Sequence, residues 1–112
     1  MIFDYELTLY RLVGGTPLQG ELAELQRCLY SPMEVFSRRY WQAIQAGVQI
    51  DTMAALPFHF HGEGELFARL ADERIYRVEQ LQLGEDSNGL PLTTLSLSRT
   101  DRRFEILNDD KE

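Results

Sequence analysis

Residues 75–98 read I-Y-R-V-E-Q-L-Q-L-G-E-D-S-N-G-L-P-L-T-T-L-S-L-S, and how they fold decides the class of the whole chain. Asn88-Gly89 is the strongest short-range hairpin signal in the sequence, because both residue types tolerate the left-handed backbone that tight turns need. Apolar residues recur on either side of it at strand-like spacing. Tyr76 and Val78 fall on one face of an extended chain, whereas Leu81 and Leu83 fall on the other. A bulge near Glu79, or a strand buried on both sides, accounts for that shift. The returning strand, 90–98, slips parity in the same way at Thr93-Thr94.

Working outward, Leu66 to Leu70 and Ile75 to Leu83 flank Ala71-Asp72-Glu73-Arg74, which reads as a second hairpin turn. Phe58-His59-Phe60-His61 alternates aromatic rings with imidazoles in a strand-like manner, after a weak strand over 49–56 that Pro57 halts. Near the start, Asp4 to Val13 alternates with Tyr5, Leu7, Leu9 and Val13 on one side and Glu6 and Thr8 on the other, a strand ended by Gly14-Gly15-Thr16-Pro17. Residues 22–31 are ambiguous. Leu22, Leu25 and Leu29 have helical spacing, while Cys28-Leu29-Tyr30 before Ser31-Pro32 reads as a strand.

One segment breaks the β pattern. In Ser37-R-R-Y-W-Q-A-I-Q-A-Gly47, Ser37 can cap a helix start and Gly47 can end its last turn. Tyr40, Trp41 and Ile44 share one face, with Phe36 a turn earlier, while Arg38, Gln42 and Gln45 point elsewhere. The spacing predicts a helix over about 38–46 that packs Trp41 and Ile44 on the β core. The expectation is a mainly β fold, a small antiparallel barrel or sandwich of five to six strands with this one short inserted helix. Residues 1–107 make a single domain, and the charged end 108–112 is expected to fray.

Composition narrows the function classes. The chain has 112 residues, 44% hydrophobic and 26% charged, with a formal net charge of −7. No apolar run approaches the length of a membrane span, and no leader-like segment opens the sequence, so a cytosolic site of synthesis is expected. An acidic chain is a poor grip for a phosphate backbone. Ten of the eleven basic residues are Arg, Lys111 being the exception, which suits bidentate contacts with carboxylates on other proteins. Cys28 is alone, so neither an internal disulfide nor a cysteine-based zinc site can form.

The only metal-like spacing is His59-x-His61, which on a strand would aim two imidazoles at one face. A third ligand would have to come from Glu63, Glu65 or a distant acid, and two histidines on a polar strand face explain the pattern equally well. No structural metal or cofactor is expected. The serines read as caps, turns or strand positions, with no nucleophile elbow around them. Gly14-Gly15 and Gly62-x-Gly64 match no phosphate loop. The sequence shows no enzyme.

The order of features resembles the head–tail joining, or head-closure, proteins of tailed bacteriophages. The likeness rests on a first strand like Tyr5-Glu-Leu-Thr-Leu-Tyr-Arg, a Gly/Pro loop, and a strand ending like Cys28-Leu-Tyr. It continues with a helix of the type Tyr40-Trp-Gln-Ala-Ile-Gln-Ala-Gly47, a hairpin like Leu66 to Val78, and a last strand like Leu95-Ser-Leu-Ser. It spans roughly residues 3–100 and is also the ground for reading 22–31 as ending in a strand. Two departures stand out. Arg39 occupies the position where the family usually has a helix-opening Glu, and Phe58-His-Phe-His61 is more aromatic than the family pattern.

The resemblance implies a β-barrel stopper in the virion neck, assembled in the host cytoplasm as a ring of about twelve copies. A portal or adaptor ring would lie on one side and a tail or tail-terminator protein on the other, with DNA passing through the lumen without specific binding. No membrane partner is implied. Subunit or partner contacts are expected from Arg38, Arg39, Gln42 and Gln45, with Arg38 and Arg39 facing Asp72 and Glu73 of a neighbour. Two alternatives stay open: an adaptor or tail-completion protein of the same neck, and a small barrel that binds a peptide or nucleic acid as a regulatory module.

Overall fold

In the computed structural model, which describes residues 2–33, 47 and 49–107, seven strands account for most of the chain. They are β1 (Tyr5–Gly15), β2 (Gln19–Met33), β3 (Thr52–Leu56), β4 (Leu66–Arg69), β5 (Ile75–Glu85), β6 (Pro91–Arg99) and β7 (Arg103–Leu107). Six of them close on themselves in the order β1-β4-β5-β6-β3-β2, with β2 pairing back to β1. Every neighbour in that ring is antiparallel, so the barrel leaves its wall few unpaired edges. β7 lies outside the ring and pairs in parallel with Gln19–Ala23 of β2.

The mainly β antiparallel barrel expected from the sequence is therefore what forms, with β7 as an addition the sequence reading left out. The helix expected over about 38–46 lies outside the described residues, as do Trp41, Ile44 and the end 108–112.

Period-2 alternation builds the interior. Leu7 and Leu9 of β1, Tyr30 of β2, Ala54 and Leu56 of β3, Leu66 and Ala68 of β4, Tyr76 of β5, and Leu95 and Leu97 of β6 form one buried cluster. On β5 the ladder to β6 shifts between Val78 and Gln80, leaving Glu79 as the extra residue. That bulge turns Leu81 to the face already used by Tyr76 and Val78, so all three pack on the same cluster. On β6 the pairing runs on without a bulge. Its parity slip comes from Thr93, a fully buried hydroxyl in an inward position, and from burial of the other face at Ser96. β3 is likewise buried on both faces from Met53 to Leu56, which erases alternation and explains why its sequence signal is weak.

β2 settles the ambiguity of residues 22–31 in favour of a strand. Its ladder to β1 skips Leu25, because Leu9 pairs with Gln26 and Tyr10 with Glu24. Leu22, Leu25 and Leu29 thus occupy three different settings: a buried position, a bulge and an exposed face. Their helical spacing is incidental.

A second cluster sits on the outer face of the barrel wall. Tyr10, Leu22 and Phe67 are its buried members, and Leu12, Ile75, Phe104 and Ile106 pack on it. The aromatic rings of Phe67 and Phe104 lie 4.7 Å apart at 56°. β7 can come this close because Gly20 faces Phe104: a Cβ there would stand 3.1 Å from the Phe104 ring and 2.9 Å from Leu12.

The two β-hairpins that bracket β5 share one turn geometry. Between β5 and β6, Gly89 N–H donates to Asp86 O (3.0 Å), Asp86 N–H to Leu90 O (2.9 Å), and Gly89 has φ +80°. Between β4 and β5, Glu73 N–H donates to Leu70 O (2.9 Å) and Leu70 N–H to Arg74 O (3.1 Å), and Glu73 stands at φ 67° where the other turn has glycine. An L side chain in that region is strained, whereas glycine is not. Glu73→Gly is expected to stabilise the protein by about 0.5–1 kcal/mol after the added flexibility of the unfolded chain is discounted. A thermal melt should rise by about 3–6 °C, and an unchanged or lower midpoint would contradict the strain.

Candidate interaction site

At one end of the barrel the stretch Phe58–His61 folds over the mouth as a loop, not as the strand its alternation suggests. The reason lies in β6. Thr93 Oγ1 accepts the Phe60 N–H (2.9 Å) and donates to Phe58 O (2.5 Å), taking the place of a ladder partner. His59 Nε2–H donates to Gly84 O at 2.7 Å, tying the loop to the end of β5. Further along, Leu12 N–H bonds Glu65 O at 2.9 Å. Phe60 is driven into the interior and plugs the barrel.

Outside this plug lies an open slot of about 660 Å³. Phe60, Leu25, Leu81 and Leu83 give it apolar walls, and Arg11, Gln26, His61 and Glu63 give it polar ones. Leu25 and Leu83 are 41% and 44% exposed, so its rim keeps apolar area in water. One wall is an unusual strand edge. β2 pairs on that side with β7 through Ala23 and with β3 from Ser31, so residues 24–30 have no ladder partner there among the described residues. A concave opening that combines apolar and polar side chains beside a fixed loop has the character of a binding surface.

His61 and Glu63 are the residues of acid–base type in the slot, and its lining includes no thiol or hydroxyl side chain. The thiol of Cys28 packs against the interior cluster, and burial, with Glu6 adding to it, pushes it up to about 11. A thiol held neutral is a poor nucleophile. Tyr76 is also shifted up, by burial first and then by its hydrogen bond to Asp72. Both groups keep their protons to higher pH in the folded chain than in the unfolded one. The contribution of Cys28 to stability is therefore complete below about pH 9 and lost as the pH rises toward about 11, and that of Tyr76 is likewise lost only as the medium turns strongly alkaline. At pH 8 iodoacetamide should label the native protein far more slowly than the urea-unfolded chain; equal rates would show an exposed, ordinary thiol.

His59 and His61 do not share a site. His59 is committed to Gly84 O, whereas His61 lines the slot. The described residues bring no three His, Cys, Asp or Glu side chains into a metal-holding arrangement. Of the contact residues named from the sequence, Arg38, Arg39, Gln42 and Gln45 lie outside the described residues. Asp72 and Glu73 form the tip of the β4–β5 turn. Asp72 is engaged within its own chain, accepting from Arg74 N–H (2.9 Å) and from Tyr76 O–H (2.7 Å). Glu73 is exposed at the tip.

Sequence reasoning did not single out the slot. Its signal was a surplus of leucines, Leu25 and Leu83, for which the strand pattern had no interior place. Comparison with protein-family models finds no match for this chain, and comparison with the curated proteins finds none.

Proposed function

We propose that this chain is a structural head-closure protein of a tailed-phage neck, forming a ring beneath a portal or adaptor, retaining packaged DNA and offering a surface to the tail. One observation carries the reading: a small antiparallel barrel, with the sequence between β2 and β3, residues 34–51, containing the segment Tyr40-Trp-Gln-Ala-Ile-Gln-Ala-Gly47 on which the resemblance rests. The long first hairpin and the β4–β5 hairpin fall in matching order. The net charge of −7 supports passage of DNA without a hold on its phosphates. An adaptor or tail-completion role in the same neck fits the same features. The amphipathic slot and the unpaired β2 edge favour, as a second reading, a module that binds an extended peptide by strand addition.

The test is addition of purified protein to DNA-filled, tailless heads bearing a portal. Stoichiometric co-sedimentation with retention of DNA is expected. Failure to bind such heads or their connectors would overturn the proposal. In isolation the chain is expected to be a monomer, since rings of −7 subunits repel at contact distance and exposed ion pairs contribute only about 0–1 kcal/mol each. Light scattering at physiological salt checks this; a stable ring without a partner would refute it.

A further inference from the structure

The end of the β5–β6 ladder opposite the slot gathers cationic groups. Arg99 pairs with Tyr76 at the last rung, Arg74 leaves the β4–β5 turn beside it, and Arg102 precedes β7. The three line one cavity of about 450 Å³, with Ile75, Tyr76 and Phe104 as its apolar walls. The protein carries 18 acidic against 11 basic residues, yet none of these guanidiniums has a carboxylate within ion-pair distance among the described residues. Arg102 is the most constrained. Its Nη2 donates to Thr16 O at 2.7 Å, and its guanidinium carbon sits 5.8 Å over the Phe104 ring. Its Nε is shielded from solvent with no partner. Arginine cannot relieve such desolvation by losing its proton, and three guanidiniums against the single Asp101 carboxylate of the lining leave a surplus of positive charge that favours an anion from outside.

We infer that this pocket is the docking site for the carboxylates of an acidic segment on a partner protein, an assignment independent of the ring reading. Guanidinium forks take a carboxylate or a phosphate through two parallel bonds, and two features choose the carboxylate. The Ile75, Tyr76 and Phe104 walls suit the aliphatic stem of a glutamate. Asp101 also lines the cavity, and Asp72 lies behind Tyr76, so a phosphate dianion meets more repulsion there than a single carboxylate does. A long polyanion such as DNA faces in addition the net charge of −7.

The probe is a fluorescent peptide of alternating Glu and Leu, followed by anisotropy against the full chain at low and raised salt. Binding should weaken with salt and fall by about tenfold or more in the Arg74→Gln/Arg99→Gln double variant, whose side chains are exposed and make no internal bond. An Arg77→Gln/Arg103→Gln variant, with the same change in net charge at exposed residues that line neither cavity, should bind as the parent does. Equal losses in both variants would reduce the effect to net charge and overturn the site. Absence of binding by the parent would overturn it as well. Displacement of the peptide by inorganic phosphate at lower concentration than by glutarate would overturn the choice of a carboxylate, and tighter binding of a single-stranded oligonucleotide would overturn the protein partner.

Discussion

Phe67→Ala is expected to cost about 3–5 kcal/mol, the largest loss from any single truncation in the described part of the chain. Phe67 is 1% exposed and heads the fully buried side chains ranked by volume. It points away from the barrel interior, since its neighbours Leu66 and Ala68 fill the inside. What it fills is the space between the barrel wall and β7, against Tyr10, Leu22 and Phe104. Removing the ring leaves a cavity that the hydrogen-bonded wall cannot collapse to close, and it releases the face that holds β7. A thermal melt should fall by about 15 °C or more. Phe104→Ala, truncating the half-buried partner, should cost less, and the double variant should show coupling of about 0.5–1.5 kcal/mol from the ring pair. A melt of Phe67→Ala within a few degrees of the parent would mean that the outer cluster contributes little and that β7 is an ornament on a self-sufficient barrel.

That outer cluster was the part of the fold least legible in the sequence. β7 offers Phe104 and Ile106 at alternate positions around Glu105, with Leu107 directly after them and the polar run Thr100 to Arg103 before, and so short an alternation is below what strand periodicity can carry. Tyr10 and Leu12 had no place in the alternation read for β1; they serve the second cluster, on the face opposite Leu7 and Leu9. The hairpins were legible because turn chemistry is local: Asn88-Gly89 and Ala71 to Arg74 mark their turns, and the bulge at Glu79 announced itself as a parity shift. The strand nature of residues 22–31 came from resemblance, against a helical spacing that a bulge at Leu25 imitates. Sites fared worse than strands. The slot joins residues 11, 25, 60 and 81, and the arginine pocket joins 74, 99 and 102, and such long-range convergence leaves no trace in spacing.

Thr93→Val is expected to lower stability by about 2–4 kcal/mol while keeping the volume of the side chain nearly constant. A hydroxyl at a fully buried, inward-facing strand position is costly unless both its donor and acceptor are used, and here they are. Its Oγ1 takes the Phe60 N–H and gives its proton to Phe58 O. Valine removes both bonds at once, so one backbone N–H inside the plug loses its acceptor and the adjacent carbonyl loses a donor. The loss should be local before it is global. With the Thr93 hydroxyl gone, the loop keeps the His59 bond to Gly84 O and the Leu12–Glu65 bond, neither of which holds the Phe60 backbone, and Phe60 is free to leave the barrel mouth. Hydrogen exchange should therefore accelerate first at Phe60 and its loop neighbours, at denaturant concentrations where β5 and β6 amides are still protected. Thr93→Ser, which keeps the hydroxyl and loses a methyl, should retain slow exchange at Phe60 at a smaller cost of about 1 kcal/mol. Fast loop exchange in the serine variant, or slow exchange in the valine variant, would show that packing of Phe60 and not the Thr93 hydroxyl holds the mouth shut.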